Sequence, residues 1–249
     1  MPVLKRGAAA ISYQIRGSGH PLLLLAPGGM RSEARWWAHQ PGTSDQRPRW
    51  INPLDELSDL FLVIGMDQRN AGSSTAPITA EDGWSNYIAD QLALMDHLGL
   101  RRFHVMGGCI GCSFALGLCR AAPDRVTAAV LQNPIGLTEG NRPNFHLMFE
   151  DWAAEMKGSH PEFDDAAAAA FRGNLFDGDF VFTATREFVK ACPIPMLVMP
   201  GGDDFHPRSV AEDIVSLAPG AELLDPWGGD QHRDNTLRQV REFLLAHAP

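Results

Sequence analysis

The sequence is short of basic charge. Lys and Arg total 21 against 30 Asp and Glu, a net charge of −9. A non-specific nucleic-acid binder or a polybasic membrane-surface protein needs a basic excess to neutralise phosphates, and none exists here. Long apolar runs are also missing. The most apolar early stretch, residues 22–26, is far too short to cross a bilayer, and the two basic residues near the start are followed by no apolar segment of signal-peptide length. Cysteine is scarce, with four in 249 residues (Cys109, Cys112, Cys119 and Cys192), which is no disulfide framework. A protein of a reducing compartment is expected, most simply cytoplasmic, with no nucleic-acid or membrane partner.

What remains fits a globular protein. At 45% apolar and 20% charged, the chain can bury a sizeable core. Short Leu-rich or β-branched runs at 10–15, 21–26, 60–66, 102–106, 126–131, 195–199 and 221–224 read as strands. Helical spacing marks 84–98, 110–122, 210–217 and 235–246. Strands alternating with helices predict an α/β fold with a mostly parallel, doubly wound sheet. Residues 134–191 break this rhythm, reading as helices without strands and rich in Phe. They are expected to form a helical lid inserted into a core made of 1–133 and 192–249. Residues 31–53 form a second irregular insertion carrying Trp36, Trp37 and Trp50.

The chemistry concentrates at Gly107-Gly108-Cys109-Ile110-Gly111, where a strand runs straight into a helix. This is the G-x-nucleophile-x-G elbow with Cys in the nucleophile position. So tight a turn needs small residues two before and two after the nucleophile, and both are Gly. The helix directs free N–H groups and its positive dipole end at the nucleophile. Cys109 and Cys112 also form a C-x-x-C pair, which admits a redox reading, and a small buried core Cys is a third. Zinc lacks a second Cys/His cluster. Downstream, the strand at 195–199 leads into Asp203 and Asp204, and His232 precedes the last helix. His206, beside the acid pair, reads more simply as a helix cap than as a substrate contact. His104 reads as a satisfied core residue and Arg69 as a loop-fixing one, while Asn133 and Asn141 receive no role.

The order nucleophile, acid, base resembles that of the α/β-hydrolases. Other stretches resemble the family too. Leu22-Leu-Leu-Leu-Ala-Pro-Gly-Gly is similar to its strand and oxyanion loop, with Pro27 where His is usual. Asp67-Gln-Arg-Asn-Ala-Gly-Ser-Ser is similar to its D-x-R-G-x-G-x-S segment, and Ala122-Pro-Asp-Arg-Val to its Pro-Glu-Arg-Val. The resemblance covers most of the chain outside 134–191. It implies an α/β-hydrolase fold with an unusual Cys nucleophile, a feature of dienelactone hydrolases and some acyl-transferring polymer synthases.

Under this reading Cys109 attacks, His232 is the base, and Asp203 or Asp204 orients it. Two spacings within the family's pattern select different carboxylates, with Asp203 favoured. Backbone N–H groups of Gly29 and Ile110 would form the oxyanion hole. Gly28, Met30, Trp36, Trp37, Phe145, Phe149 and Trp152 are the expected substrate pocket. The expected substrate is a small acyl compound (an ester, lactone or thioester), with no cofactor and no metal. Acyl transfer to another acceptor, carbon–carbon bond hydrolysis and a non-catalytic receptor are the competing functions, and a homodimer is left open.

Overall fold

The computed structural model describes residues 1–39 and 50–249. Eight strands form one sheet: β1 (Val3–Arg6), β2 (Ala9–Arg16), β3 (His20–Leu25), β4 (Phe61–Met66), β5 (Phe103–Gly108), β6 (Val126–Gln132), β7 (Met196–Met199) and β8 (Ala221–Leu223). Their spatial order is β1-β2-β4-β3-β5-β6-β7-β8, and pairing is parallel from β4 through β8. The antiparallel edge consists of β1 on β2 and β2 on β4. The seven strands expected from the sequence all form, within a residue or two at each end. The eighth, β1, is mostly exposed and lacks the apolar run that would have marked it.

The sheet is covered on both faces, which is why its central strands are apolar without alternation. Leu23 and Leu25 of β3 face one core with Ile64, Val105 and Leu131. Leu22 and Leu24 face the other with Val63, Met106 and Val130. Helices α2 (Trp84–His97), α3 (Ile110–Ala121) and α7 (Arg208–Leu217) cover the first face. The short α1 (Pro53–Glu56) and the C-terminal α8 (Arg233–Ala246) cover the second, together with Trp37.

Residues 134–191 enter between β6 and β7 as three helices without a strand: α4 (Arg142–Met156), α5 (Asp165–Phe176) and α6 (Arg186–Ala191). Asp164 caps α5 through Ala167 N–H at 2.8 Å, and Thr185 caps α6 through Phe188 N–H at 3.2 Å. The segment is tied to the sheet domain by buried hydrogen bonds. Ser113 Oγ donates to Val181 O at 2.9 Å, Thr183 Oγ1 to Ser113 O at 2.6 Å, and Trp84 Nε1 to Leu175 O at 2.7 Å.

The expected pocket aromatics of this segment prove to be its core. Phe145, Phe149 and Trp152 are all at most 1% exposed. They pack edge-on or tilted with Phe163, Phe171 and Phe176 at centroid distances from 5.3 to 6.4 Å, apart from one stacked pair, Phe145–Phe176 at 5.8 Å. These spacings are those of favourable aromatic packing. On α4 the inward positions are 145, 149 and 152, while 144, 147, 148 and 151 look toward the cleft. Trp37 is likewise fully buried, in the opposite core. Residues 40–49 of the 31–53 insertion lie outside the described residues.

Because Phe149 is core rather than cleft, Phe149→Ala should lower folding stability by about 3–5 kcal/mol. Chemical denaturation measures this; an undiminished midpoint would return Phe149 to the substrate surface.

Candidate active site

The site begins with a backbone constraint. Cys109 sits between β5 and α3 at φ 55°, ψ −119°, a region that non-glycine residues occupy only when their surroundings force them. Two close approaches impose the geometry. A Cβ on Gly107 would collide with the Gly111 carbonyl, and one on Gly111 would collide with the Leu25 carbonyl. The Cys109 N–H donates to Gln132 O at 3.0 Å, which ties the elbow to β6.

Cys112 is held apart from a free role by its hydrogen bonds beneath the turn. Its buried thiol hydrogen-bonds the carbonyls of Gly107 and Gln132, both at 3.2 Å, and burial raises it well above the ordinary thiol range. It packs under the turn, and all four cysteines are free.

The imidazole beside the Cys109 sulfur is that of His206. After β7 the chain folds back so closely that a Cβ on Gly201 would strike Asn133 and His206. Asp203 shapes this loop. Its Oδ1 accepts from the N–H of Phe205 at 2.9 Å, from the N–H of His206 at 3.0 Å and from His206 Nδ1 at 2.7 Å. Nδ1 therefore carries a proton, and Nε2 is buried on the side of the sulfur, where it makes no hydrogen bond of its own.

His232, the expected base, stands elsewhere. It ends a short 3₁₀ turn, Asp230–His232, that leads into α8, and it lines a separate cleft of about 920 Å³ with Asn133, Gly201 and Asp203. The loop before it is pinned. Trp227 Nε1 donates to Pro200 O at 2.8 Å, and Thr236 Oγ1 donates to Trp227 O at 2.8 Å. Of the two candidate acids, Asp203 holds the imidazole, whereas Asp204 contributes its backbone carbonyl to Asn141 Nδ2 at 2.9 Å.

Three charges set one another. Burial pushes the Cys109 thiol up, but the His206 charge and hydrogen bond, with the N–H groups of Ile110 and Gly28, hold it below the ordinary thiol value. Burial would lower His206; the sulfur and Asp203 outweigh it and raise the imidazole to about 10. The hydrogen bond from His206 holds Asp203 down to about 2. Both shifts favour the charged pair, thiolate with imidazolium, over the neutral one. The amides at the sulfur are those of Ile110, as expected, and of Gly28 rather than Gly29. Gly29 opens the 3₁₀ turn Gly29–Arg31 one residue further on, under the side chain of Met148.

A cleft of about 730 Å³ opens beside His206, lined by Arg31, Asn144, Leu147, Met148, Asp151 and Phe205 together with Asp203 and Asp204. Of the residues expected in the pocket, Gly28 stands at the sulfur, and Met30 is buried behind it. Trp36 is half-buried over Gly28, with its Nε1 donating to Arg31 O at 2.8 Å. The signal for His206 was available in Asp203-Asp204-Phe205-His206, the spacing at which an Asp side chain meets a residue three further on. Arg69 is loop-fixing, paired with Asp82 and Asp90 at 2.8 Å each. His104 is core: it shares a 2.7 Å hydrogen bond with Thr127, and burial depresses it to about 3. No group of three or more metal-ligating side chains occurs among the described residues.

The charge state is measurable through the sulfur. Alkylation of Cys109 by iodoacetamide should reach its plateau below the ordinary thiol value of about 8.5. His206→Ala should move that rise up toward the ordinary value, and His232→Ala should leave it in place. The reverse pattern would make His232 the partner of the sulfur.

Comparisons with known proteins agree with this architecture. A proline iminopeptidase from Arabidopsis thaliana is 30% identical over 117 residues, 46% of this chain, and the chain spans only 26% of that protein's length. A 2-hydroxymuconate semialdehyde hydrolase from Pseudomonas putida is 22% identical, with 98% of this chain and 95% of that protein aligned. The solved enol-lactonase from Burkholderia xenovorans LB400 superposes with a TM-score of 0.68 at 19% identity, covering 98% of this chain and 100% of that one. The family model for the alpha/beta hydrolase fold matches residues 21–179, more than half of the chain, and the chain therefore belongs to that family.

Proposed function

We propose that the protein is a hydrolase of small esters, lactones or thioesters that works through a covalent acyl-Cys109 intermediate. The observation that carries this reading is the line of groups Asp203, His206 and Cys109, in which a fixed tautomer presents Nε2 to a sulfur already drawn toward the thiolate. His206 takes the part that the sequence assigned to His232.

The steps follow from the positions. The Cys109 thiolate adds to the carbonyl carbon, and the carbonyl oxygen gains the negative charge. The N–H groups of Ile110 and Gly28 hold that oxygen, and the α3 N-terminus adds its dipole. As the tetrahedral adduct collapses, the bond to the leaving group breaks and His206 Nε2–H protonates the departing oxygen or sulfur. The neutral imidazole then takes a proton from water. The resulting hydroxide equivalent attacks the thioester carbonyl. The C–S bond breaks, the acid departs, and thiolate and imidazolium are restored. Asp203 stays ionised throughout and fixes the ring.

A thiolate–imidazolium pair has consequences for substrate choice. The nucleophile needs no base at the moment of attack, so the first step is fast on any activated carbonyl. Asp203, bonded to Nδ1, still favours the imidazolium once the sulfur is covalently linked, so leaving groups that depart with little proton transfer suit the site. Enolates, phenolates and thiolates suit such a site better than simple alkoxides do. The names of two similar proteins, an enol-lactonase and a semialdehyde hydrolase, fit activated carbonyl substrates of this kind.

Intact-mass measurement after brief exposure to p-nitrophenyl esters, thioesters and lactones should show one acyl group on Cys109. Cys109→Ala should remove both the adduct and turnover, by a factor of about 10³ or more. Turnover that survives in this variant would overturn the covalent reading. Product that goes to an added alcohol, amine or thiol in preference to water would make the enzyme an acyltransferase instead.

A further inference from the structure

Behind the two backbone amides, the interior of the protein is not completely filled. Narrow crevices, none wide enough for a free water, run between α2, α3 and the end of α5. Gly29 and Ile110, next to the elbow, line this space, and Trp84 and Phe114 form apolar walls. Two polar side chains also line it, Gln68 from the loop after β4 and Tyr87 from α2.

Both are deeply buried, Gln68 at 1% and Tyr87 at 3% exposure, and both end in an atom with no partner. Gln68 Oε1 accepts from Gln91 Nε2 at 3.0 Å, which leaves Gln68 Nε2 without an acceptor and Gln91 Oε1 without a donor. The Tyr87 hydroxyl has none either. Buried donors are nearly always satisfied, and two orphans on one enclosed space are unusual. Neither belongs to the sulfur site already described.

Resting on the acyl-enzyme reading above, we infer that this space is the acyl subsite, and that it selects a short acyl chain bearing a neutral oxygen acceptor, which takes hydrogen bonds from Gln68 Nε2 and Tyr87 Oη. Ile110 and Gly29 line it next to the elbow, so the chain of an acyl group on Cys109 passes them to enter it. Met30, an unbranched and adaptable side chain, also lines the space and is the wall that yields to a ligand. The acceptor is neutral because the described residues that line the space include no cation. Arg69 lies over the Tyr87 ring at 5.8 Å but is already paired with both Asp82 and Asp90, and a buried carboxylate without a partner is costly. A keto, hydroxy or ether oxygen meets the requirement, while a plain alkyl chain fills the space and leaves both donors orphaned.

The test compares p-nitrophenyl 4-oxopentanoate with p-nitrophenyl pentanoate, each corrected for its rate with hydroxide. The wild-type enzyme should favour the oxo ester in kcat/KM by about 10-fold or more. Tyr87→Phe and Gln68→Met should each carry that ratio toward one. Tyr87→Phe removes only an unpartnered hydroxyl, so it decides the matter if Gln68→Met does not fold. A wild-type ratio at or below one, or a ratio that Tyr87→Phe leaves unmoved, overturns the inference. Intact mass separates this failure from the other. Acyl-Cys109 formed from both esters without selectivity removes the subsite and leaves the covalent reading standing, whereas absence of any adduct removes both.

Discussion

A single sulfur held at a corner that its backbone would not otherwise choose organises this molecule. Cys109 keeps a positive φ only because Gly107 and Gly111 let β5 and α3 close to within contact of each other and of β3. Everything near the site answers that geometry. The α3 N-terminus can direct its amides at the sulfur because the helix starts one residue later. Cys112, one turn into the helix, braces the corner from beneath by bonding the carbonyls of Gly107 and Gln132. Strain at one residue persists here because hydrogen bonds and packing on both sides over-determine it.

The imidazole partner follows a different rule. His206 and Asp203 lie three residues apart in one loop, so the carboxylate that orients the ring also sets the backbone that carries it. A base drawn from the loop after β8 would have to fit its position to the acid through tertiary packing. Here the distance between acid and base is fixed locally, and only the approach of the β7 loop to the elbow depends on the fold. Gly201 controls that approach through its contact with Asn133 and His206.

This distinction explains what was legible in the sequence. The strands, the long helices and the elbow were readable because each rests on local signals: continuous apolar runs, helical spacing and paired glycines around a nucleophile. The two-sided burial of β3 was visible in Leu22 through Leu25 for the same reason. The imidazole beside the sulfur was not readable by analogy, because His232 satisfies the expected order while it is His206 that faces Cys109. The pocket failed for a geometric cause. Aromatic content marked α4 as important, but Phe145, Phe149 and Trp152 share the inward face, and the cleft is lined by their less conspicuous neighbours Asn144, Leu147, Met148 and Asp151. A one-position rotation about the helix axis, some 100°, separates core from cleft. Composition alone does not set that phase.

The electrostatics of the site also reconcile two demands that pull against each other. A buried thiolate needs a nearby positive charge, yet a strongly held imidazolium is a reluctant acid. Asp203 Oδ1, accepting three hydrogen bonds, fixes the ring and deepens that reluctance, with His206 raised to about 10 and Asp203 lowered to about 2. The conflict resolves during the reaction. Once the sulfur is acylated it loses its negative charge, and the leading support for the raised imidazole disappears with it. On the proposed acyl-enzyme reading only Asp203 still favours the charged ring while burial opposes it, and the ring accepts a proton from water more readily. On that reading acylation itself would turn a charge-stabilising imidazolium into a general base, and the thiolate would serve both as nucleophile and as the switch that sets its partner's role.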